Sequence, residues 1–136
     1  MFRLLVIDND LALHEKIAPW LKHGGYEVEF AVTGRQGLRL LDKKKFDLLI
    51  TEIIMPEKDG IETISAIRKS GGTLPIIAIS GGGRIGASYY LELARWFGAN
   101  RTLPKPLNGA VLLPVVHELV GKEGRNNGAT VGCGCA

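Results

Sequence analysis

The sequence predicts an α/β fold in which helices cover both faces of a doubly wound, five-stranded parallel sheet. Short apolar runs alternate five times with longer segments whose apolar residues recur at helical spacing. The apolar runs are nearly continuous, as expected for parallel strands that are buried on both faces. The length of 136 residues, the hydrophobic fraction of 46% and the charged fraction of 23% are typical of one globular domain and exclude general disorder.

Each of the five units can be placed on the sequence. The predicted strands are short and apolar, and they cover residues 4–7, 28–32, 46–51, 74–79 and 101–103. The first predicted helix carries Leu13, Ile17 and Leu21 and ends at Gly24-Gly25. The other predicted helices cover residues 37–45, 61–70, 86–97 and 108–120. Pro19 and Pro114 fall inside helical segments, and each is expected to remove one backbone hydrogen bond and to kink its helix.

Composition and charge limit the classes of function. The 17 Lys and Arg residues exceed the 14 Asp and Glu residues by three, and they are scattered apart from Lys43, Lys44 and Lys45. Such a triplet is typical of a solvated helix end and not of a nucleic-acid surface. No apolar run approaches the roughly 20 residues that a membrane helix needs, and the first residues lack the layout of a signal peptide. We therefore expect a cytoplasmic protein with no nucleic-acid or membrane partner.

The domain is predicted to cover residues 1–121, and residues 122–136 are predicted to form a flexible, Gly-rich tail. Because so short a tail leaves no room for an effector domain, output is expected to pass through another protein. Cys133 and Cys135 lie in this tail and do not resemble a disulfide framework. Two thiolates would also make an incomplete metal site.

Polar residues stand just after four of the predicted strands. They are Asp8, Asn9 and Asp10 after the first strand, Glu52 after the third, Ser80 after the fourth and Lys105 after the fifth. Because ligands of an open parallel sheet bind beyond the carboxyl ends of its strands, we expect these side chains to share one pocket. Carboxylates, a hydroxyl and an ammonium suit a hard cation beside an anionic group, although solvated loop ends would also be polar.

Four segments resemble the response-regulator receiver domains of two-component signalling, in the order that this family has them. They are LLVIDND, TEIIMPEKDG, IIAISGGGR and GANRTLPKPL, and the resemblance extends from about residue 2 to residue 120. The resemblance implies the flavodoxin-like form of the predicted fold, with strand order 2-1-3-4-5. It also implies that the Lys105–Pro106 peptide bond is commonly cis.

The family transfers a phosphoryl group from a histidine kinase to an aspartate with the help of Mg²⁺. By position, the resemblance places Glu52 at the phosphoacceptor site, and Ser80 and Lys105 on the phosphoryl group. It assigns the metal to Asp8, Asn9, Glu52 and the carbonyl of Ile54, and the conformational switch to Ser80 and Thr102.

Three departures from the family pattern weaken phosphoryl chemistry. Glu52 replaces the aspartate, and its extra methylene moves the carboxylate by about 1 Å, which can cost about 10²-fold in a positioned reaction. Asn9 replaces the second acid, so Mg²⁺ binding is possible but expected to be weakened. Thr102 replaces the aromatic switch residue.

These departures suggest an atypical receiver that is not an enzyme and acts by protein–protein contact. Glu52 can reach towards Ser80 and pair with Lys105, which would imitate an aspartyl phosphate in part. An inert Glu52–Lys105 pair and residual phosphorylation are the competing interpretations. The expected partner is a sensor histidine kinase or a downstream signalling protein.

Two other classes of protein share parts of this pattern. Asp8-Asn9-Asp10 also resembles the opening motif of haloacid-dehalogenase-like phosphatases, with Asp8 as the nucleophile, but the acidic pair that such enzymes need is missing after the fourth strand. The glycines of residues 81–83 and Arg84 could contact a nucleotide or flavin phosphate. Their spacing matches no established phosphate loop.

The helix predicted at residues 86–97 is more apolar than one core contact requires. Its apolar arc spans about 200°, whereas a helix buries a stripe of about 100°. Core packing is expected to bury the side formed by Tyr90, Ala94 and Phe97. The remaining stripe of Tyr89, Leu93 and Trp96 is a candidate partner surface or homodimer interface, or else a set of exposed side chains without a partner.

Overall fold

The computed structural model describes residues 1–55, 59–81 and 87–121, with the backbone alone described at Ala87. Within these ranges a five-stranded parallel sheet has the order β2-β1-β3-β4-β5, and a helix follows each strand. The elements in chain order are β1 (Arg3–Ile7), α1 (Leu11–His23), β2 (Glu27–Ala31), α2 (Gly34–Lys43), β3 (Leu48–Glu52), α3 (Gly60–Lys69), β4 (Ile76–Ser80), α4 (Ala87–Phe97), β5 (Arg101–Pro104) and α5 (Gly109–Val120). The predicted fold class and strand order are confirmed.

Two apolar cores lie on opposite faces of the sheet. Strand residues alternate between the faces, so Leu4 and Val6 face one core whereas Leu5 and Ile7 face the other. The first core packs under α1 and α5, and the second packs under α2, α3 and α4. All five residues of β3 and of β4 are buried, as the continuous apolar runs predicted.

Side-chain caps fix where several helices begin. Helix α2 begins three residues before its predicted start because the Thr33 side chain accepts a hydrogen bond from the Gln36 N–H, 3.0 Å away. Asp59 and Glu62 form a reciprocal capping box at the start of α3. Asp10 caps α1, which begins immediately after the tip of β1.

The remaining predictions concern the two helix prolines, the Lys triplet and the glycine-rich segments. Pro19 and Pro114 do lie inside α1 and α5. Within the Lys triplet, Lys44 is not simply solvated, because its ammonium lies 2.9 Å from a Glu29 carboxylate oxygen. Residues 122–136 and the glycine-rich residues 82–86 lie outside the described residues. No helix in the described ranges is long and apolar enough to cross a membrane.

Candidate functional site

The parallel sheet brings the predicted polar side chains to one edge. Strands β1, β3, β4 and β5 are consecutive neighbours in the sheet. Asp8 directly follows β1, while Glu52 and Ser80 are the last residues of β3 and β4. Lys105 directly follows β5, and its backbone N–H donates to the Ser80 carbonyl at 2.9 Å. Strand β3 extends one residue beyond its predicted end, so Glu52 belongs to the strand.

One ammonium group bridges two buried carboxylates at this edge. The Lys105 Nζ lies 2.8 Å from Asp8 Oδ2 and 2.7 Å from Glu52 Oε1. Asp8 is fully buried, and Glu52 is 4% exposed. The predicted pairing of Glu52 with Lys105 is therefore present, and a second pairing, of Asp8 with Lys105, was not predicted.

The Glu52 side chain turns back over its own backbone. Its Oε2 accepts hydrogen bonds from the N–H groups of Ile53 at 2.9 Å and Ile54 at 3.0 Å. The extra methylene gives the carboxylate the length to do this while Oε1 pairs with Lys105. Both Glu52 oxygens are thus engaged, and the reach of Glu52 towards Ser80 stays a prediction.

Asp8 is held by the start of α1 as well as by Lys105. Its Oδ1 accepts a hydrogen bond from the Asp10 N–H at 2.9 Å. Its backbone carbonyl lies 2.7 Å from His14 Nε2, and the His14 ring stacks on Phe30 with 4.6 Å between centroids. Because a carbonyl can only accept, Nε2 carries the proton in this contact. No motif in the sequence pointed to His14.

The two acids act on the pKa of Lys105. Burial alone would lower the pKa of Lys105, but hydrogen bonds and charge attraction from Asp8 and Glu52 outweigh that effect. The pKa of Lys105 is therefore raised above its ordinary value of 10.5. The side chain stays protonated over the physiological range, and both acids have a permanent counter-charge.

Comparison with known proteins decides the family. The family model for the response regulator receiver domain matches residues 4–117. The chain belongs to this family. Similar curated proteins include the response regulator MprA of Mycolicibacterium vanbaalenii, which is 32% identical over 127 residues, and the transcriptional regulatory protein CpxR of Escherichia coli K12, which is 33% identical over 120 residues. These matches cover 93% and 88% of the receiver but 54% and 50% of the relatives, so the chain spans about half their length.

Solved receiver domains have the same fold. One from Clostridium thermocellum superposes with a TM-score of 0.80 at 26% identity, over 90% of this receiver and 97% of that chain. A CheY-like receiver domain protein from Methanospirillum hungatei superposes with a TM-score of 0.81 at 25% identity, over 93% and 98% of the two chains. The chain is thus a flavodoxin-like receiver domain of two-component signalling. The alternative assignment as a phosphatase gains no support from these findings.

Receiver domains typically bind Mg²⁺ at the phosphorylation site. In this receiver the ammonium of Lys105 already contacts one oxygen of each predicted acidic ligand, Asp8 and Glu52. Asp8 Oδ1 and Glu52 Oε2 accept backbone hydrogen bonds, whereas the buried Asp8 Oδ2 has the ion pair with Lys105 but no hydrogen bond. The other predicted ligands are the amide of Asn9, which is exposed, and the carbonyl of Ile54. Among the described residues, no three His, Cys, Asp or Glu side chains form a group that could hold a metal.

The predicted switch residues lie on β4 and β5. Ser80 is fully buried at the end of β4. Thr102 is half-buried on β5, where it pairs in register with Ala78. The peptide bond between Lys105 and Pro106 is cis, as the resemblance implied. The switching roles of Ser80 and Thr102 stay predictions.

Helix α4 presents aromatic side chains to solvent. Trp96 is 86% exposed and Tyr89 is 49% exposed, while Leu93 is half-buried. The expectation that core packing buries Phe97 is wrong, because this residue is 41% exposed. Helix α4 does bury Ala94, as predicted, and it also buries Leu91. Each step of three residues falls about 60° short of a full turn, so Phe97 lies on the opposite side of Ala94 from Leu91. Phe97 has therefore rotated away from the buried face.

Proposed function

We propose that this receiver signals without an ordinary phosphorylation cycle, in a state that the side chain of Glu52 imposes. The observation that supports the proposal is the cluster of Asp8, Lys105 and Glu52, in which one ammonium already neutralises part of the charge of the pocket. In this cluster a permanent carboxylate contacts the ammonium that the family uses to contact a transferred phosphoryl group. The contact needs no kinase to form it.

Glu52 is poorly arranged to act as a nucleophile. Attack on a phosphoryl donor needs an oxygen with an available lone pair, aimed at the incoming phosphorus. One Glu52 oxygen pairs with Lys105, and the other accepts two backbone hydrogen bonds from Ile53 and Ile54. Before Glu52 could attack a phosphoryl donor, either its ion pair with Lys105 or its hydrogen bonds to the backbone would have to break.

Imitation of the phosphorylated state is only partial. A carboxylate carries about one negative charge, whereas a phosphoryl group carries nearly two and has three acceptor oxygens. The pairing with Lys105 reproduces one charge-assisted contact. Ser80 and Thr102 are proposed to determine how completely the rest of the domain adopts the conformation of the phosphorylated state. Any remaining Mg²⁺ binding is proposed to be weak.

A small phosphodonor tests this proposal directly. After incubation with Mg²⁺ and acetyl phosphate, the intact mass of the wild-type receiver is expected to show no stoichiometric phosphate adduct. Glu52→Asp removes the extra methylene and returns the family's acceptor, so at least about tenfold more adduct is expected in this variant. Glu52→Gln is the matched control that keeps the length of the side chain. A stoichiometric wild-type adduct that disappears in Glu52→Gln would contradict the proposal.

We also propose that output passes through the α4 surface formed by Tyr89, Leu93 and Trp96. A large indole that is 86% exposed has unburied apolar area, and tryptophan is enriched among residues that dominate binding energy. The occupant is proposed to be a sensor kinase, a downstream signalling protein or a second copy of this receiver. Residues 1–121 are proposed to carry this function as one domain.

Trp96→Glu is expected to weaken self-association at least about tenfold, because it puts a charge where an aromatic side chain would be buried. Sedimentation equilibrium over a range of concentrations measures this. Val32→Glu is the control, since it also adds a charge at an exposed apolar residue but lies beyond β2, at the opposite edge of the sheet. Equal association constants for wild type and Trp96→Glu would exclude the α4 surface as a dimer interface.

A further inference from the structure

We propose that the ammonium group of Lys105 is the resident cation of this site and takes the place of a divalent metal. The inference rests on the proposed phosphorylation-independent function, and it identifies what occupies the acidic pocket in that state. It predicts that metal binding is suppressed by Lys105 itself and not only by the loss of an acid at Asn9.

The two buried acids require a positive charge between them. A buried carboxylate without a counter-charge is strongly unfavourable, and two adjacent ones are more so. Lys105 meets this need with contacts of 2.8 Å to Asp8 and 2.7 Å to Glu52. The pocket is therefore neutralised in part before any ion enters from solution.

The Lys105 side chain is guided into this position by the backbone around it. Its N–H donates to the Ser80 carbonyl, which fixes where the residue leaves the sheet. Its aliphatic stem passes beside Gly81, where a Cβ would lie 3.9 Å from the Lys105 Cδ. The side chain is only 21% exposed, so it is not a surface lysine that enters the pocket occasionally.

A divalent ion would have to compete for the same oxygens. Ligand distances are about 2.0–2.1 Å for Mg²⁺ and about 2.3–2.6 Å for Ca²⁺, which would put either ion within a few ångströms of the ammonium. Repulsion between two cations at that separation is large in a buried site. Metal binding is therefore expected to displace Lys105 from these two oxygens.

Removal of the ammonium should open a divalent site. The two oxygens now sit 2.7 and 2.8 Å from the nitrogen, which is nearer to the spacing of Ca²⁺ than to that of Mg²⁺. In Lys105→Met the acids of Asp8 and Glu52 remain without a counter-charge. They are expected to bind Ca²⁺ first and Mg²⁺ less tightly, because the oxygens must move less to reach the larger ion.

Calorimetric titration with CaCl₂ and with MgCl₂, without any phosphodonor, tests the inference. Lys105→Met is expected to bind Ca²⁺ at least about tenfold more tightly than the wild type. Lys16→Met is the matched control, since Lys16 lines a neighbouring cavity of about 350 Å³ together with Lys105 but makes no ion pair among the described residues. Asp8→Asn/Lys105→Met lacks one acid and should lose the gain.

Thermal unfolding gives a second readout, which is the rise of each variant's melting temperature with ion concentration and not the melting temperature itself. An ion that binds only the folded state raises the melting temperature as its concentration increases. This rise is expected for Lys105→Met and not for the wild type.

Tight Mg²⁺ binding by the wild type, or an equal gain in Lys16→Met, would overturn the inference. A phosphate adduct on Glu52 would instead overturn the proposed function and leave the metal titration unchanged, so the two failures can be told apart.

Discussion

Lys105→Met is expected to lower the free energy of unfolding at neutral pH by about 3–5 kcal/mol, which is the effect of leaving buried charges without their partner. Asp8 and Glu52 are almost completely buried, and both depend on the same ammonium. Urea denaturation followed by circular dichroism measures the change. Combining Lys105→Met with Glu52→Gln removes one of the stranded charges and should recover part of the loss. Lys16→Met should change the stability by less than about 0.5 kcal/mol.

The contribution of Lys105 has a definite pH dependence. The pKa of Lys105 in the folded chain is raised above its unfolded value of 10.5. A group of this kind stabilises the fold fully below its unfolded pKa and loses that contribution as the pH rises through its folded pKa. The stability difference between wild type and Lys105→Met should therefore be constant around pH 7–9 and shrink above pH 10.5. A difference that is already lost at pH 8 would contradict the ionic assignment.

Gly60→Ala is expected to destabilise the fold by about 3 kcal/mol, at the upper end of the usual effect of overpacking. A Cβ on Gly60 would lie 2.1 Å from the Glu52 carbonyl oxygen and 2.7 Å from the Ile53 Cα. Both are backbone atoms, so no rotamer change can relieve the collision. The Gly60 N–H also donates to the Ile53 carbonyl at 2.9 Å, which seats α3 against the end of β3.

Gly81→Ala is the matched control for Gly60→Ala. A Cβ on Gly81 would meet only the Lys105 Cδ at 3.9 Å, which is an ordinary contact, so a change within about 0.5 kcal/mol is expected. Chemical denaturation of both variants under the same conditions makes the comparison. Equal free energies of unfolding for Gly60→Ala and Gly81→Ala would mean that α3 does not pack this closely against the end of β3. Because the collision involves Glu52 itself, Gly60→Ala should also disturb the pairing with Lys105.

The fold could be predicted because its signals are local. Continuous apolar runs such as residues 76–79 indicate a strand buried on both faces, and apolar residues at helical spacing such as Leu13, Ile17 and Leu21 indicate the helix above it. The boundaries were less accurate, because they depend on single hydrogen bonds. Thr33, for example, moves the start of α2 by capping it.

The sequence was enough to predict which residues meet at the strand ends, but it did not predict the rotamers of their side chains. Topology alone brings Glu52 and Lys105 to one edge of the sheet, and their pairing follows from opposite charge. The return of Glu52 onto the backbone depends on χ angles that no sequence pattern encodes. The pairing of Asp8 with Lys105 joins side chains that are far apart in the sequence, and the contact of His14 with the Asp8 carbonyl belongs to no motif that the sequence shows.

The two tryptophans of the chain are placed to give separate optical signals. The Trp20 ring lies against Gly109, where a Cβ would approach its ring carbons to 2.9 Å, so its emission reports whether α1 and α5 are docked. Trp96 faces water on α4 and should emit at longer wavelength. A ligand that covers α4 would shift only the longer-wavelength emission of Trp96, whereas unfolding would shift the shorter-wavelength emission of Trp20. Intrinsic fluorescence can therefore separate recognition from denaturation without any attached label.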